Sequence, residues 1–473
     1  MRTTGGALGS KERKSNKWYK LDNAAKIIPS SAKGADTRVF RICCELKEDV
    51  DRDILQQAHD EIIEDFPLFG CVLKKGLFWY YLEDSDLKLE VSEDRIHACA
   101  PIYYPGRTNL LYRVLYFRRR ISLEMFHVLA DGTGGFIFLK RLVTRYLEIR
   151  HSLNSEKYEG DTSSVSEKKD DAFDQYYSRQ KLTKQLKQLK TISVGKAHQI
   201  SGDKDENLLP HLVEVTVPAS SIVALSKENK TTVGVYTTAL YIQAIMDSMS
   251  VREKERPVVV SVPVNLRQFF NSDTTRNFFG VITIVYYPRQ YDGTIGSVIS
   301  VVKQEYEDQL KEERVEQIMN TYGSFEDHIA IKMVPIWVKD VVISFFNRQA
   351  KKGTTTTWSN LGRIKMPDNV TPYIDRFSAF MAAPSQQVCI SSFEDRMVFG
   401  EVSPYSTHEV MMHFVRRLVS MEVPVELASN DYDEHVRQKA VRIKNKDSEP
   451  SGQDSPQKGS NDPTGRKKRR KKR

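Results

Sequence analysis

Between Arg120 and Leu147 the chain reads RISLEMFHVLADGTGGFIFLKRLVTRYL, and its hydrophobic period changes partway along. Residues 121–126 alternate apolar and polar side chains as a half-buried strand does, whereas Phe136, Leu139, Val143, Tyr146 and Leu147 recur at helical spacing. His127 thus falls at the end of a strand, with Asp131 and Gly132 on the turn that follows. The glycines Gly132, Gly134 and Gly135 are expected to allow backbone geometry there that bulkier residues resist. A base held at a rigid strand end is well placed for proton transfer. A solitary histidine is more often a hydrogen-bonded structural residue, so Asp131-Gly132 at fixed spacing is what raises the chemical reading.

The 473 residues suffice for two domains or one large bilobal unit. The net charge of +9 suggests nucleic acid only until it is located: RKKRRKKR, Arg466 to Arg473, carries eight of those charges. The rest of the chain is close to neutral, and no nucleic-acid-binding motif accompanies the tail. The tail reads first as a solvated extension, and second as a weak tether to an anionic membrane or polymer through residues 466–473.

Five cysteines, Cys43, Cys44, Cys71, Cys99 and Cys389, are odd in number and show no CxxC pairing, as expected of reduced thiols. The N-terminal MRTTGGALGSKERKSNK has no apolar core, and no run approaches the roughly eighteen apolar residues of a membrane span. A cytoplasmic monomer is expected.

Composition divides the chain into a disordered stretch 1–16, an N-terminal lobe 17–150, a charged linker 151–206, a C-terminal lobe 207–440 and a disordered basic tail 441–473. In the first lobe, Trp18 to Pro29 reads as a short helix ended by Pro29, and Arg38 to Leu46 as a strand. A helix follows Asp49, Asp51 and Asp53, and a hairpin turns at Lys74-Lys75-Gly76. A short helix is expected at Tyr176 to Leu189 within the linker. In the second lobe His211 to Val217, Pro257 to Val264 and Asn277 to Tyr287 read as strands. Helices are expected at Val233 to Met249, Ile295 to Met319, Ile329 to Phe346 and Thr407 to Met421. Ser378 to Ala382 and Gln387 to Phe393 read as a hairpin, with Met397 to Val402 after it. Strand-then-helix order recurs in both halves, as in an α/β (α+β) chain; mixed sheets with packed helices are what the resemblance described next implies.

HVLADG fits the HxxxDG pattern, and the chain resembles the CoA-dependent acyltransferase superfamily of chloramphenicol acetyltransferase, plant BAHD enzymes and peptide-synthetase condensation domains. WYKLDNAAKIIP, FPLFGCVLKKGLFWYYLE, FHVLADGTGG, VPVNLRQFF with RNFFG, and WSNLG look most like its alcohol acetyltransferase branch, over Trp18 to Leu427. The resemblance implies two chloramphenicol-acetyltransferase-like lobes with a tunnel between them and His127 as general base. It also implies a structural salt bridge from Asp131 to Arg267, beside Asn265 at the exit of a buried strand. By itself Arg267 would read as a surface residue. Ser359 and Asn360, within TTTTWSNLGRI, read from the residues as a polar turn; the resemblance implies a segment beside the tunnel in which Ser359 or a nearby N–H serves the oxyanion.

Two departures bear on the branch. Phe126 stands where condensation domains carry a first histidine, and the BAHD sequence DFGWG is absent. The histidines of HEVMMH, His408 and His413, are five apart where a zinc site needs four, and neither GxxxxGK[ST] nor GxGxxG occurs. No metal and no resident cofactor is expected. Acetyl-CoA or another acyl-CoA enters as co-substrate, with an alcohol or amine acceptor. Two other functions fit the same scaffold: a non-catalytic module binding an acyl, lipid or carrier-bound ligand, and an amide-forming condensation enzyme.

Overall fold

The computed structural model describes residues 17–154, 196–204, 209–270, 272, 274–317, 333–382 and 385–430. The expected helix at 176–189 and the basic tail lie outside them. In the first part of the chain the strands are β1 (Trp18–Lys20), β2 (Val39–Leu46), β3 (Cys71–Lys75), β4 (Tyr80–Asp84), β5 (Ser92–Glu93), β6 (Tyr112–Phe117) and β7 (Arg120–Phe126). They are accompanied by helices α1 (Ile28–Ser31), α2 (Arg52–Ile62) and α3 (Gly132–His151). The second part contributes β8 (His211–Pro218), β9 (Val258–Asn265), β10 (Phe279–Tyr286), β11 (Thr356–Arg363), β12 (Ile374–Met381), β13 (Gln387–Phe393), β14 (Arg396–Ser403) and β15 (Glu426–Ser429). Its helices are α4 (Ala219–Glu228), α5 (Val233–Ser248), α6 (Ile295–Gln309), α7 (Ile336–Lys352) and α8 (Glu409–Ser420).

The architecture is two-lobed and α/β. One lobe is built on the five-stranded sheet β12-β2-β7-β6-β5, the other on the seven-stranded sheet β10-β9-β11-β13-β14-β8-β15. The larger sheet has two sides with different partners. Val388 and Ile390 of β13 and Trp358 of β11 belong to the core under α5 and α8. Cys389 and Phe393, with the opposite parity, belong to the core of the first lobe. A period of two along one strand thereby joins the lobes.

Several expectations change. Trp18 to Pro29 is a short strand followed by a 3₁₀ turn, and Pro29 sits inside the first turn of α1, where its missing N–H costs nothing. The hairpin turns at 76–79, since Lys74 and Lys75 remain paired with Tyr81 and Tyr80. The helix expected from Ile295 to Met319 is interrupted after Gln309 and resumes over 312–317, with 318–319 outside the described residues; of the one expected from Ile329 to Phe346, residues 329–332 also lie outside them, 333–335 are not helical, and α7 begins at Ile336. Ser378 to Ala382 and Gln387 to Phe393 are not a hairpin: β12 pairs with β2 in the first lobe, and β13 with β11 and β14 in the second. The second half of the chain thus lends a strand to the first lobe, so no single cut separates them. Among the described residues no helix is long and apolar enough to cross a membrane.

One irregularity positions the site. β9 and β11 pair only at Val260 with Thr356 and Ser261 with Thr357, and then part. Pro263 lies just beyond, on the strand side that has lost its neighbour, where no N–H is called for. Asn265, still paired with Phe279 of β10, is the last residue of β9, and the chain leaves the sheet after it.

Candidate active site

β7 delivers His127. The ladder between β2 and β7 ends at Val39 and Phe126, and one more bond follows it, from the His127 N–H to the Arg38 carbonyl at 2.9 Å. Arg38 holds this position with a left-handed backbone, φ 54°, a conformation that non-glycine residues keep only where their surroundings impose it. The half-buried imidazole has Phe40 edge-on at 5.3 Å and Phe279 tilted at 5.7 Å, centroid to centroid.

Its Nδ1 lies 2.9 Å from Asn277 Oδ1. The Asn277 amide nitrogen donates in turn to Asp22 Oδ2 at 3.0 Å, and Asp22 is almost wholly buried. A carboxylate only accepts, so the Asn277 NH₂ must face Asp22 and its oxygen must face the ring. An oxygen facing Nδ1 requires Nδ1 to carry the hydrogen, which leaves the lone pair on Nε2. The tautomer is thus set by a chain of three residues from three distant parts of the sequence. Loss of hydration lowers the imidazole pKa below its ordinary value, opposed chiefly by the Asp131 charge and less by hydrogen bonds that include Asn277. The ring is thereby kept in its neutral, basic form near pH 7.

Asp131 has a different task. It caps α3 by accepting from Gly134 N at 2.9 Å, and it accepts from Phe278 N at 2.9 Å and from Arg267 Nη1 and Nη2 at 2.8 and 3.3 Å. Its oxygens are fully engaged. Arg267 also donates to the carbonyls of Thr274, Arg276 and Phe278, so it shapes the loop on both sides of Asn277. Asn265 Oδ1 accepts from Arg267 N and Nη1.

The glycines of the motif lie in the first turn of α3 with ordinary backbone angles, and what they supply is room. A Cβ on Gly134 would come 1.9 Å from the Thr275 carbonyl oxygen, and one on Gly135 would meet Phe40 at 2.7 Å. On Gly132 it would lie 3.2 Å from Leu361. That last contact brings the WSNLG segment against the motif. Ser359 and Asn360 are in strand β11 and not in a turn. Ser359 aligns with Cys389 and so points to the first-lobe side of the sheet. Its hydroxyl has no hydrogen-bond partner among the described residues. Asn360 folds back to accept from Gly362 N at 2.9 Å, forming a bulge in which Gly362 has φ +76°.

Asn277, Asp22, Phe40 and Phe279 were not assigned from the sequence. Asn277 and Asp22 fall within RNFFG and WYKLDNAAKIIP, and their buried amide and carboxylate are the kind of polar groups that need a stated partner.

Neither a family model nor a curated protein sequence matches this chain. Solved structures do. The trichothecene 15-O-acetyltransferase of Fusarium sporotrichioides superposes with a TM-score of 0.58 at 11% identity, covering 88% of this chain and 96% of that one. The first condensation domain of the CDA synthetase gives 0.59 at 11% identity, over 85% and 95%. F. sporotrichioides TRI101, solved with coenzyme A and T-2, gives 0.57 at 10% identity, over 87% and 99%. At such identities the likeness is one of fold: this chain has the two-lobed, chloramphenicol-acetyltransferase-like α/β fold of those proteins.

Proposed function

We infer that the protein is a CoA-dependent acyltransferase, moving an acyl group, acetyl in the simplest case, from a CoA thioester to an alcohol. The observation that carries this reading is the orientation of His127, whose Nδ1 is committed to Asn277 and whose Nε2 is left with a lone pair. Nε2 takes the hydroxyl proton as the acceptor oxygen attacks the thioester carbonyl, a step to which a positioned base contributes about 10²–10⁴-fold. The unpartnered Ser359 hydroxyl is the candidate donor to the resulting oxyanion, a contribution of about 2.7–4 kcal/mol for one such donor. The tetrahedral intermediate then collapses, the C–S bond breaks, and the imidazolium returns its proton to the departing thiolate. Asp131 and Arg267 take no proton; they hold the loop that aims the ring.

The resemblance stated above implies a tunnel between the lobes, and we propose that both substrates reach the histidine by that route. Incubating the protein with acetyl-CoA and panels of alcohols and amines, while following release of free thiol, tests the reading. Turnover with alcohols that disappears in a folded His127→Ala variant is expected. Preference for amines would favour amide-forming condensation. Saturable ligand binding without thiol release would indicate a binding module.

A further inference from the structure

Helix α7 packs against its neighbours largely through polar contacts. Asp340 accepts from Ser30 Oγ at 2.6 Å, Lys75 Nζ at 2.9 Å and Tyr80 OH at 3.2 Å. Ser344 donates to the Ser30 carbonyl at 2.7 Å, and Lys351 to Asp36 at 2.8 Å. These residues share one side of the helix, four or seven positions apart. The adjoining side carries Trp337, Val341 and Phe345 at spacings of four, and they are 66%, 68% and 57% exposed. A soluble helix normally hides its apolar stripe and shows its charges. Here Ile336 is buried, yet the rest of the apolar stripe is left outside.

The exposed stripe does not stand alone. Ile336 N donates to the Leu77 carbonyl at 2.9 Å and Lys339 Nζ to the Phe78 carbonyl at 2.9 Å, which fastens the β3–β4 turn to the start of α7. Leu77 and Trp79 on that turn and Met333 just before the helix are also exposed, at 68%, 52% and 65%. Three of the four tryptophans in the chain are exposed, and two of them are here; only Trp358 is in the core. Charge is equally one-sided. On the exposed side of α7 the cations are Arg348 and Lys352, four positions apart, whereas Lys351 is paired with Asp36 and the one carboxylate of the helix, Asp340, is turned inward onto Lys75.

We propose that α7 and the β3–β4 turn form a docking face for an anionic lipid surface, with Trp337, Val341 and Phe345 entering the headgroup boundary and the flanking cations meeting lipid charge. The helix has 17 residues, so it presents a rod about 25 Å long that can lie in the plane of the interface. Tryptophan is the residue that favours this boundary, with an apolar ring and one polar N–H. A lipid surface suits the face better than the chain's own basic end, because residues 466–473 carry the same sign of charge. Docking here would also bring the lipid phase close to the candidate site: Asn347 of α7 accepts from Arg38 Nη2 at 3.4 Å, and the Arg38 carbonyl holds His127.

The test uses the full chain and phosphatidylcholine vesicles with and without phosphatidylserine. Co-sedimentation is expected with the serine lipid, and the triple variant Trp337→Ser, Val341→Ser, Phe345→Ser is expected to lose at least about tenfold in vesicle affinity. Those side chains are exposed, so the variant should keep the parent's circular dichroism and melting temperature. If it does not fold, Trp337→Phe with brominated lipids gives an independent reading, with binding retained and tryptophan quenching reduced. The proposal is overturned if the full chain ignores both vesicles, or if the triple variant binds as well as the parent while deletion of 466–473 abolishes binding. It is also overturned if light scattering shows the triple substitution converting a dimer to a monomer, since the face would then belong to a second copy.

Discussion

Arg267 grips Asp131 with both terminal nitrogens, at 2.8 and 3.3 Å, across the junction of the two lobes. Both side chains are nearly buried, and each is satisfied by further hydrogen bonds, Asp131 from Gly134 N and Phe278 N and Arg267 to three carbonyls. Removing one partner leaves the other charge inside without a counterion. Arg267→Ala and Asp131→Ala should each lower stability by about 3–5 kcal/mol. Arg267→Lys, which keeps the charge but loses the planar fork, should recover only part of that. Urea denaturation of the three variants measures it, and equal stability for Arg267→Lys and the parent would show that the fork geometry is immaterial.

Asn277 should behave differently, as a positioning residue for His127. Without its oxygen the imidazole is free to adopt either tautomer, and only one leaves Nε2 basic. Asn277→Ala is expected to lower kcat by about tenfold to a hundredfold, within what a positioned base contributes, with little change in KM. Asp22→Asn should fall less, because its amide oxygen can still accept from Asn277 while its NH₂ competes for the same place. Steady-state kinetics on the two variants separates this from a folding defect, which would lower the active fraction without altering the shape of the pH profile.

How far the sequence could be read depends on whether a residue's partner is local. The strand into His127 and the helix after it are local patterns, and so is the Asp51 cap of α2; each is present within a residue or a few of where periodicity and capping place it. Where the partner is remote, pattern fails. Nothing in DGTGG says that the Thr275 carbonyl lies against where a Gly134 Cβ would be, so two of the three glycines that look like turn residues, Gly134 and Gly135, are in fact there for close packing. β12 and β13 look like a hairpin because both are short apolar runs, and only long-range pairing sends them to different sheets. Asn277 reads as an ordinary strand-edge amide until Asp22, 255 positions away, is seen against it.

The pH dependence of turnover follows from the direction in which His127 is shifted. Desolvation lowers its pKa in the folded protein, and the form that would act as the proposed base is the neutral one. Activity should therefore rise with pH through a value below about 6.5 and be level at pH 7. Removing the Asn277 oxygen takes away a group that favours the charged ring, so the acid limb of Asn277→Ala should move to still lower pH. The same shift bears on stability: the unfolded chain binds this proton more readily than the folded one, so its contribution is present above about pH 6.5 and lost as pH falls through the folded pKa. Profiles of kcat/KM and of urea midpoint against pH test both signs, and an acid limb above pH 7 would contradict them.

Gly134 offers the most direct test of how the lobes are joined. A methyl group there must displace the Thr275 carbonyl, and backbone cannot yield as a side-chain tip does. Thr275 lies two residues before Asn277 in the loop that Arg267 holds, so the displacement would be passed to the amide that orients the ring. Gly134→Ala is expected to cost about 1–3 kcal/mol or more in stability, as overpacking does, and to lower kcat as well. Gly132→Ala meets only the flexible end of Leu361, at 3.2 Å, and should be tolerated with a smaller loss. Melting temperatures and turnover of the two variants, compared side by side, decide the point: if Gly134→Ala is as stable and active as Gly132→Ala, the close approach of α3 to the Thr275 loop is not what fixes the His127–Asn277 geometry.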